Sequence, residues 1–377
     1  MSQEPWGDIP LFREIQRILA SGSGPVNTEI ATQVATALAT QEGDSPPDPA
    51  RGRTLADAVR DAELMLSGYT RLPVEEPATV RPASRAEWAT ATLGGWAWLF
   101  EHLAHKFTAG AGEEPEGQAG MAAALGQVAP LLMGIQVGTL VGGLAQSAIG
   151  RYDYPIPRED DGRLLFVDPN VARLVDDYGF DRDAFLRWLA LGAAARHLVL
   201  THTPWLARYW RSVVTEIVDA TEIDVGQLQS RMMDLQSQGP EALQQGMGGG
   251  FQLPLVPTDR HQRAVARLRS LVAAFEGYAR HAAGAVGDAF TGPAGPIEEG
   301  VARHRLDAQE GAAMLETLLG VTFDRDLETA GATFCAAVVN LKGIAVLNSI
   351  WDAPDNLPSY AEIKDPFAWM ERVAEEG

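Results

Sequence analysis

The sequence has one cysteine and comparatively few basic residues. Cys335 lies in the apolar stretch from Ala332 to Leu341, so a disulfide within the chain is excluded and we expect a packed thiol rather than a nucleophile. The 30 Lys and Arg residues are outnumbered by 50 Asp and Glu residues, which gives a formal net charge of -20. This charge opposes binding to nucleic-acid phosphates and anionic membranes, so we expect an acidic, solvated surface and no nucleic-acid partner.

We also expect no export signal. Residues Met1–Asp8 are polar and acidic and lack the basic region and apolar core of a secretory signal. Together with the single cysteine, this absence favours a cytoplasmic protein. The 377 residues are 46% hydrophobic, which is enough for a substantial buried core.

One apolar run is long enough to cross a bilayer. Met121–Leu144 contains only three polar residues and carries Gly134, Gly138 and Gly142 at four-residue spacing, which permits close helix contact in a membrane or in a protein core. The preceding segment is acidic, and neither flank has the basic and aromatic anchors of a typical span. We therefore predict a buried helix and no membrane span.

Helical spacing of apolar residues dominates the chain and predicts a mainly α fold with at most a small β element. Leu164–Val167 is the clearest strand candidate, and residues 41–53 read as a loop. We predict an N-terminal helical region at 1–110 and a second region at 111–377, together forming one compact unit. The predicted helices lie at Ile9–Leu19, Asn27–Leu38, Leu55–Leu66, Ser84–Phe107, 182–203, His261–Ala289, Pro296–Leu319 and Leu327–Leu347.

Common catalytic motifs are absent from the sequence. Neither His-Glu-x-x-His nor its reverse occurs, and there is no Gly-x-Ser-x-Gly elbow. His102 and His105 are three residues apart but no carboxylate or cysteine pattern joins them, so we assign them no metal. The glycine-rich stretch Gly239–Pro257 has no preceding strand and no following Gly-Lys-Ser/Thr, which favours a loop over a nucleotide site.

Several segments, taken in order, resemble a bacterial family of zincin-like metallopeptidases, many of which are named hydrolases. The resemblance spans most of the chain and implies a zincin-like helical domain. It is carried by Asp8–Leu19, Gly24–Asn27, Gly150–Asp153, Leu165–Asn170, Pro204–Leu206, Glu276–Gly277, Leu318–Val321, Ile350–Asp352 and Leu357–Ser359.

The resemblance also implies where a zinc site would lie. In the family, the His-Glu-x-x-His motif precedes the Pro-Trp-Leu turn, which here begins at Pro204. The matching positions are Gly192 for the first ligand, Ala193 for the general base and Arg196 for the second ligand, with Glu276 matching the third ligand. We therefore expect a degenerate member without bound zinc and without zinc-peptidase activity.

A carboxylate left in a former metal pocket needs a compensating charge. We hypothesise that Arg196 reaches Glu276 and forms an ion pair in place of the metal. In the alternative, Arg196 points to solvent and Glu276 pairs locally with Arg280, four residues on.

Two classes of function are consistent with these residues. The first is a catalytically inactive homologue that binds a protein or peptide partner or serves as a scaffold or assembly subunit of undetermined oligomeric state. The second is a hydrolase with a relocated site, either metal-independent or using a metal shifted to His197 and His202 with Glu276 or His281, although the five-residue spacing of the first two suits one helix face poorly.

Overall fold

The computed structural model describes residues 24–110, 119–223, 255–307, 309–319 and 325–376, and it confirms a mainly α fold. The predicted first helix, Ile9–Leu19, and residues 239–254 of the predicted glycine-rich loop lie outside the described residues. The helices are α1 (Thr28–Ala39), α2 (Pro49–Thr70), α3 (Arg85–Gly95), α4 (Ala97–Gly110), α5 (Ala119–Ala145), α6 (Asp168–Tyr178), α7 (Arg182–His202), α8 (Leu206–Ala220), α9 (Asp259–Thr291), α10 (Gly295–Asp307), α11 (Gln309–Leu319), α12 (Arg325–Lys342), α13 (Ile344–Asn348), α14 (Tyr360–Lys364) and α15 (Pro366–Glu376).

Short strands form two small sheets among the described residues. β1 (Val80–Ala83) and β2 (Leu164–Val167) are parallel, and the second sheet pairs β3 (Thr221–Ile223) with β4 (Leu255–Pro257). β2 is buried at all four positions, which explains why its sequence is a continuous apolar run rather than an alternating one. The predicted strand and the small β content are both confirmed.

The chain divides into two compact units, each assembled from separate segments. The first comprises 1–44, 86–146 and 222–256, and the second comprises 45–85, 147–221 and 257–377. The division predicted after residue 110 stays a prediction.

In the first unit, the glycine stripe of α5 lies directly against α1. A Cβ atom at Gly134 would come within 2.5 Å of the Asn27 carbonyl oxygen, and one at Gly138 would come within 2.6 Å of the Ala31 carbonyl oxygen. The glycines therefore let the two backbones touch, as predicted for a helix buried in a protein core. No helix in the described part of the chain is both long and apolar enough to cross a membrane.

Side-chain caps explain several helix boundaries. Asn27 accepts a hydrogen bond from the Ile30 amide at the start of α1, and Asp181 accepts one from the Ala184 amide at the start of α7. The loop predicted at 41–53 is too long, since Asp48 caps α2 and Pro49 occupies its first position. The helix predicted across 84–107 is two helices, α3 and α4, which are separated at Trp96.

The second unit is built around α9. This helix packs along α12, α7 and α8, while α2 packs against α7. The middle of α9, from Leu271 to Ala279, is buried at every position, so it reads as core on all its faces. Glu276 lies within this buried stretch.

Candidate functional site

Arg196 of α7 and Glu276 of α9 form a buried ion pair. The Arg196 Nε atom lies 3.1 Å and 2.9 Å from the two carboxylate oxygens, and its Nη2 atom lies 2.5 Å from Oε2. Only 18% of the arginine side chain and 10% of the glutamate side chain is exposed. The structure thus brings the two residues together as hypothesised, and the alternative of a solvent-directed Arg196 is wrong.

Glycine contacts between α9 and α12 fix the backbone next to Glu276. A Cβ atom at Gly277 would come within 2.2 Å of the Gly331 carbonyl carbon, and one at Gly331 would come within 1.8 Å of the Ala273 carbonyl oxygen. No side chain fits between these backbones. The close approach therefore places the α9 backbone beside Glu276 directly against α12.

Gly192 contributes its backbone to the same site. Its carbonyl oxygen accepts a hydrogen bond of 2.8 Å from Nη1 of Arg196, one turn later in α7. A Cβ atom at position 192 would lie 3.2 Å from that nitrogen, which is tighter than ordinary contact. The absence of a side chain at Gly192 therefore leaves room for the guanidinium, and the next residue, Ala193, is half-buried.

Burial and charge act in opposite directions on the pair. Burial raises the pKa of Glu276, the charge of Arg196 lowers it and that of Glu328 raises it, and the net direction is upward. Burial lowers the pKa of Arg196, but the charge and hydrogen bonds of Glu276 outweigh it, so the pKa of Arg196 is raised. The guanidinium therefore stays protonated at any pH at which the protein folds.

A second set of charges surrounds the pair, and the sequence did not predict it. Arg280 lies 3.3 Å from Glu298 of α10 and 3.9 Å from Glu328 of α12, so it does not pair with Glu276. Arg305 of α10 lies 3.1 Å from Glu328. These half-buried contacts join α9, α10 and α12, and no local motif in the sequence marks Glu328.

The three histidines considered for a shifted metal have different partners. Nε2 of the buried His197 lies 3.3 Å from the Glu76 carbonyl oxygen, and burial lowers the pKa of this imidazole. Nδ1 of His202 lies 3.6 Å from a carboxylate oxygen of Glu75. His281 instead bonds through Nε2 to the Tyr69 hydroxyl at 2.8 Å, and burial lowers its pKa too.

The residues present do not fit a zinc ion. A guanidinium has no lone pair to offer a metal. The guanidinium of Arg196 also donates hydrogen bonds to both carboxylate oxygens of Glu276. Among the described residues, no three His, Cys, Asp or Glu side chains come together as a potential metal-binding group, and this includes His102 and His105. What the arrangement does chemically is neutralise a buried carboxylate with a fixed cation.

Other residues named in the sequence analysis make contacts that stabilise the fold. Cys335 is completely buried in α12, and burial raises the pKa of its thiol, which confirms a packed side chain. Within Leu165–Asn170, Asp168 accepts bonds of 2.5 Å and 3.0 Å from Arg51, and Asn170 accepts one of 2.7 Å from Arg85. The polar residues of this segment therefore tie α6 to neighbouring elements.

The turn that ends α7 contacts a second segment of the resemblance. Trp205 donates an indole hydrogen bond of 2.9 Å to the carbonyl oxygen of Trp351. The Trp351 ring meets that of Tyr278 edge-on, with centroids 5.5 Å apart. Two segments 146 positions apart in sequence therefore meet beside α9.

Comparisons with known proteins identify a matching family and a similar crystal structure. The model of the zincin-like metallopeptidase family matches residues 26–370. The crystal structure of a "putative hydrolase with a novel fold" from Chloroflexus aurantiacus is similar at a TM-score of 0.66 and 24% sequence identity, over 93% of this chain and 100% of that one. No curated protein is significantly similar in sequence. The family resemblance expected from the sequence is thus confirmed.

Proposed function

The chain belongs to the zincin-like metallopeptidase family, and from this membership we propose that it is a member without zinc-peptidase activity that uses the inherited fold to bind a protein or peptide. The ion pair between Arg196 and Glu276 is the observation that carries the proposal. It occupies the positions that the sequence resemblance assigns to the second and third metal ligands.

The chemistry of these positions supports the proposal. Gly192 and Ala193 have no side-chain group that can ligate a metal or take a proton from water. Arg196 supplies a permanent positive charge where a zinc site would need a neutral imidazole. Glu276 is bonded to that charge and is not available as a ligand or base.

A relocated hydrolytic site is the competing function. The closest candidate is the contact of 3.6 Å between His202 and Glu75, but no third ligand joins it among the described residues. We therefore keep the binding protein as the proposed function, with a cytoplasmic location and no nucleic-acid partner as parts of the same proposal.

Metal analysis of protein purified without added metal tests the proposal. We expect far less than one zinc per chain and no hydrolysis of a diverse peptide set above background. As a positive control, the variant with Gly192→His, Ala193→Glu and Arg196→His is expected to gain zinc binding, and adding Glu276→Gln to it is expected to weaken that binding.

Two results would contradict the proposed function. One zinc per wild-type chain, lost on His202→Gln or Glu276→Gln, would establish a relocated metal site. Peptide hydrolysis by metal-free protein would establish a metal-independent enzyme. Either result overturns the proposed function.

A further inference from the structure

A groove runs along the outer face of α8 in the second unit. It has a volume of about 360 Å³ and is lined on α8 by Arg208, Arg211, Thr215, Glu216 and Asp219 and on α9 by Arg260. The opposite face of α8 is buried in the core, so the groove residues form the exposed stripe of an amphipathic helix. Position 260 is sixteen residues before Glu276 in α9, about 24 Å along the helix, so the Arg260 end of the groove lies far from the buried ion pair.

The order of charges on α8 does not serve the helix itself. Acidic residues stabilise the first turn of a helix and basic residues its last turn. α8 has no acidic residue in its first turn and no basic residue in its last turn, and it carries arginines early and carboxylates late. The helix dipole therefore does not explain this order of charges.

The carboxylates of the groove are partly neutralised from α9. Glu216 lies 3.7 Å from Arg260 and also pairs with Arg267. At the other end, Arg211 pairs with Glu159 at the surface, while Arg208 makes no ion pair with any residue of the described ranges. Arg208 is therefore the guanidinium of the groove that can take a further carboxylate partner.

We propose that this groove binds an acidic peptide segment of a partner protein. A guanidinium binds a carboxylate through two parallel hydrogen bonds, so Arg208 and Arg211 suit aspartate or glutamate side chains. Glu216 and Asp219 at the other end suit the backbone amides of the same segment. The twelve residues from Arg208 to Asp219 span about 16 Å, the length of about five residues of extended chain.

The mixed lining favours a peptide over a nucleic acid. A phosphate backbone would face the two carboxylates of the groove and the overall charge of -20. A peptide has both carboxylates and amide donors, so it can satisfy both ends. The groove lining includes none of the positions matched to the zinc site, so the inference extends the proposed function to a second surface.

Fluorescence anisotropy with a labelled, glutamate-rich peptide tests this inference on the full chain. We expect the double variant Arg208→Gln and Arg211→Gln to bind it at least roughly tenfold more weakly than the wild type, with little change in thermal unfolding. The matched control is Arg53→Gln and Arg60→Gln on the exposed side of α2, which removes the same charge and is expected to leave affinity unchanged.

Three results would overturn the inference. These are equal binding of a glutamine-for-glutamate peptide, equal weakening by the control variant, and tighter binding of a single-stranded oligonucleotide of the same charge. All are read from affinity, whereas the proposed function is tested by metal content and hydrolysis. Failure of one proposal is thus distinguishable from failure of the other.

Discussion

Arg196 donates a hydrogen bond of 2.8 Å to the carbonyl oxygen of Gly192, one turn earlier in the same helix. The glycine leaves room for the contact, because a Cβ atom there would lie 3.2 Å from the donor nitrogen and the guanidinium would have to shift slightly. A histidine at position 192 would occupy the space that the guanidinium fills. The residues at 192 and 196 are therefore in contact, and a large side chain at 192 would compete with the guanidinium for space.

Removing one partner of the buried pair should be far more damaging than removing both. We expect Arg196→Met to lower the free energy of unfolding by about 3–5 kcal/mol, because it leaves the Glu276 carboxylate buried without a counter-charge. The double variant Arg196→Met and Glu276→Leu should recover most of that loss. Urea denaturation near neutral pH measures the free energy of unfolding of the wild type, the single variant and the double variant.

An exposed pair provides the comparison. Arg303 and Glu299 form an ion pair at the surface of α10, with 64% and 66% of their side chains exposed. Arg303→Met is expected to change the free energy of unfolding by about 0–1 kcal/mol, since solvent screens the pair.

Additive effects of the substitutions at Arg196 and Glu276 on the free energy of unfolding would show that the two residues do not interact in solution.

Gly331 should not tolerate even one added methyl group. A Cβ atom at this position would lie 1.8 Å from the Ala273 carbonyl oxygen, so Gly331→Ala must push α12 away from α9. We expect a loss of at least about 1–3 kcal/mol in the free energy of unfolding. Thermal and urea unfolding of the purified variant measure it.

Gly284 is the matched control for the glycine contact. It lies on an exposed part of α9, and an added Cβ atom would meet nothing within 4 Å. Gly284→Ala should therefore raise stability by about 0.5–1 kcal/mol through helix propensity. A destabilising Gly284→Ala or a neutral Gly331→Ala would contradict the packing seen between α9 and α12.

Local patterns in the sequence were sufficient to predict most helices, but not where helices break. Asn27 marks the start of α1 because its side chain can cap the helix, and that information is local. The separation of α3 from α4 at Trp96 could not be predicted, since apolar spacing continues through it and Trp96 is itself buried. Periodicity reports which face is buried and carries little information on small breaks.

The candidate site could be predicted only in part, for a similar reason. The contact between Arg196 and Glu276 was predicted because the family resemblance relates positions that are 80 residues apart. The resemblance assigns no role to Glu328, which in the sequence looks like any exposed acidic residue of a helix. The partners of His197 and His281 depend on loop and helix placement, which no local pattern encodes.

Removal of metal should leave the wild-type protein unchanged. Because Arg196 already neutralises Glu276, a chelator is expected to shift the thermal unfolding midpoint by less than about 1 °C, and added zinc should not raise it. The variant with Gly192→His, Ala193→Glu and Arg196→His should instead be stabilised by zinc. A drop of several degrees in chelated wild-type protein would contradict the role assigned to the ion pair.

Mild acid should destabilise the protein partly through His281. Burial lowers the pKa of this imidazole below its usual 6.5, so below that pH the unfolded chain binds a proton more readily than the folded one. The stabilisation is fully present above pH 6.5 and is lost as the pH falls from there through the folded-state pKa. His281→Gln, whose amide can still accept the Tyr69 hydroxyl, should therefore reduce the fall in unfolding free energy between about pH 7.5 and pH 5.5 relative to the wild type. Urea denaturation across this range measures the slope, and an identical slope in both proteins would show that His281 is not held in its neutral form.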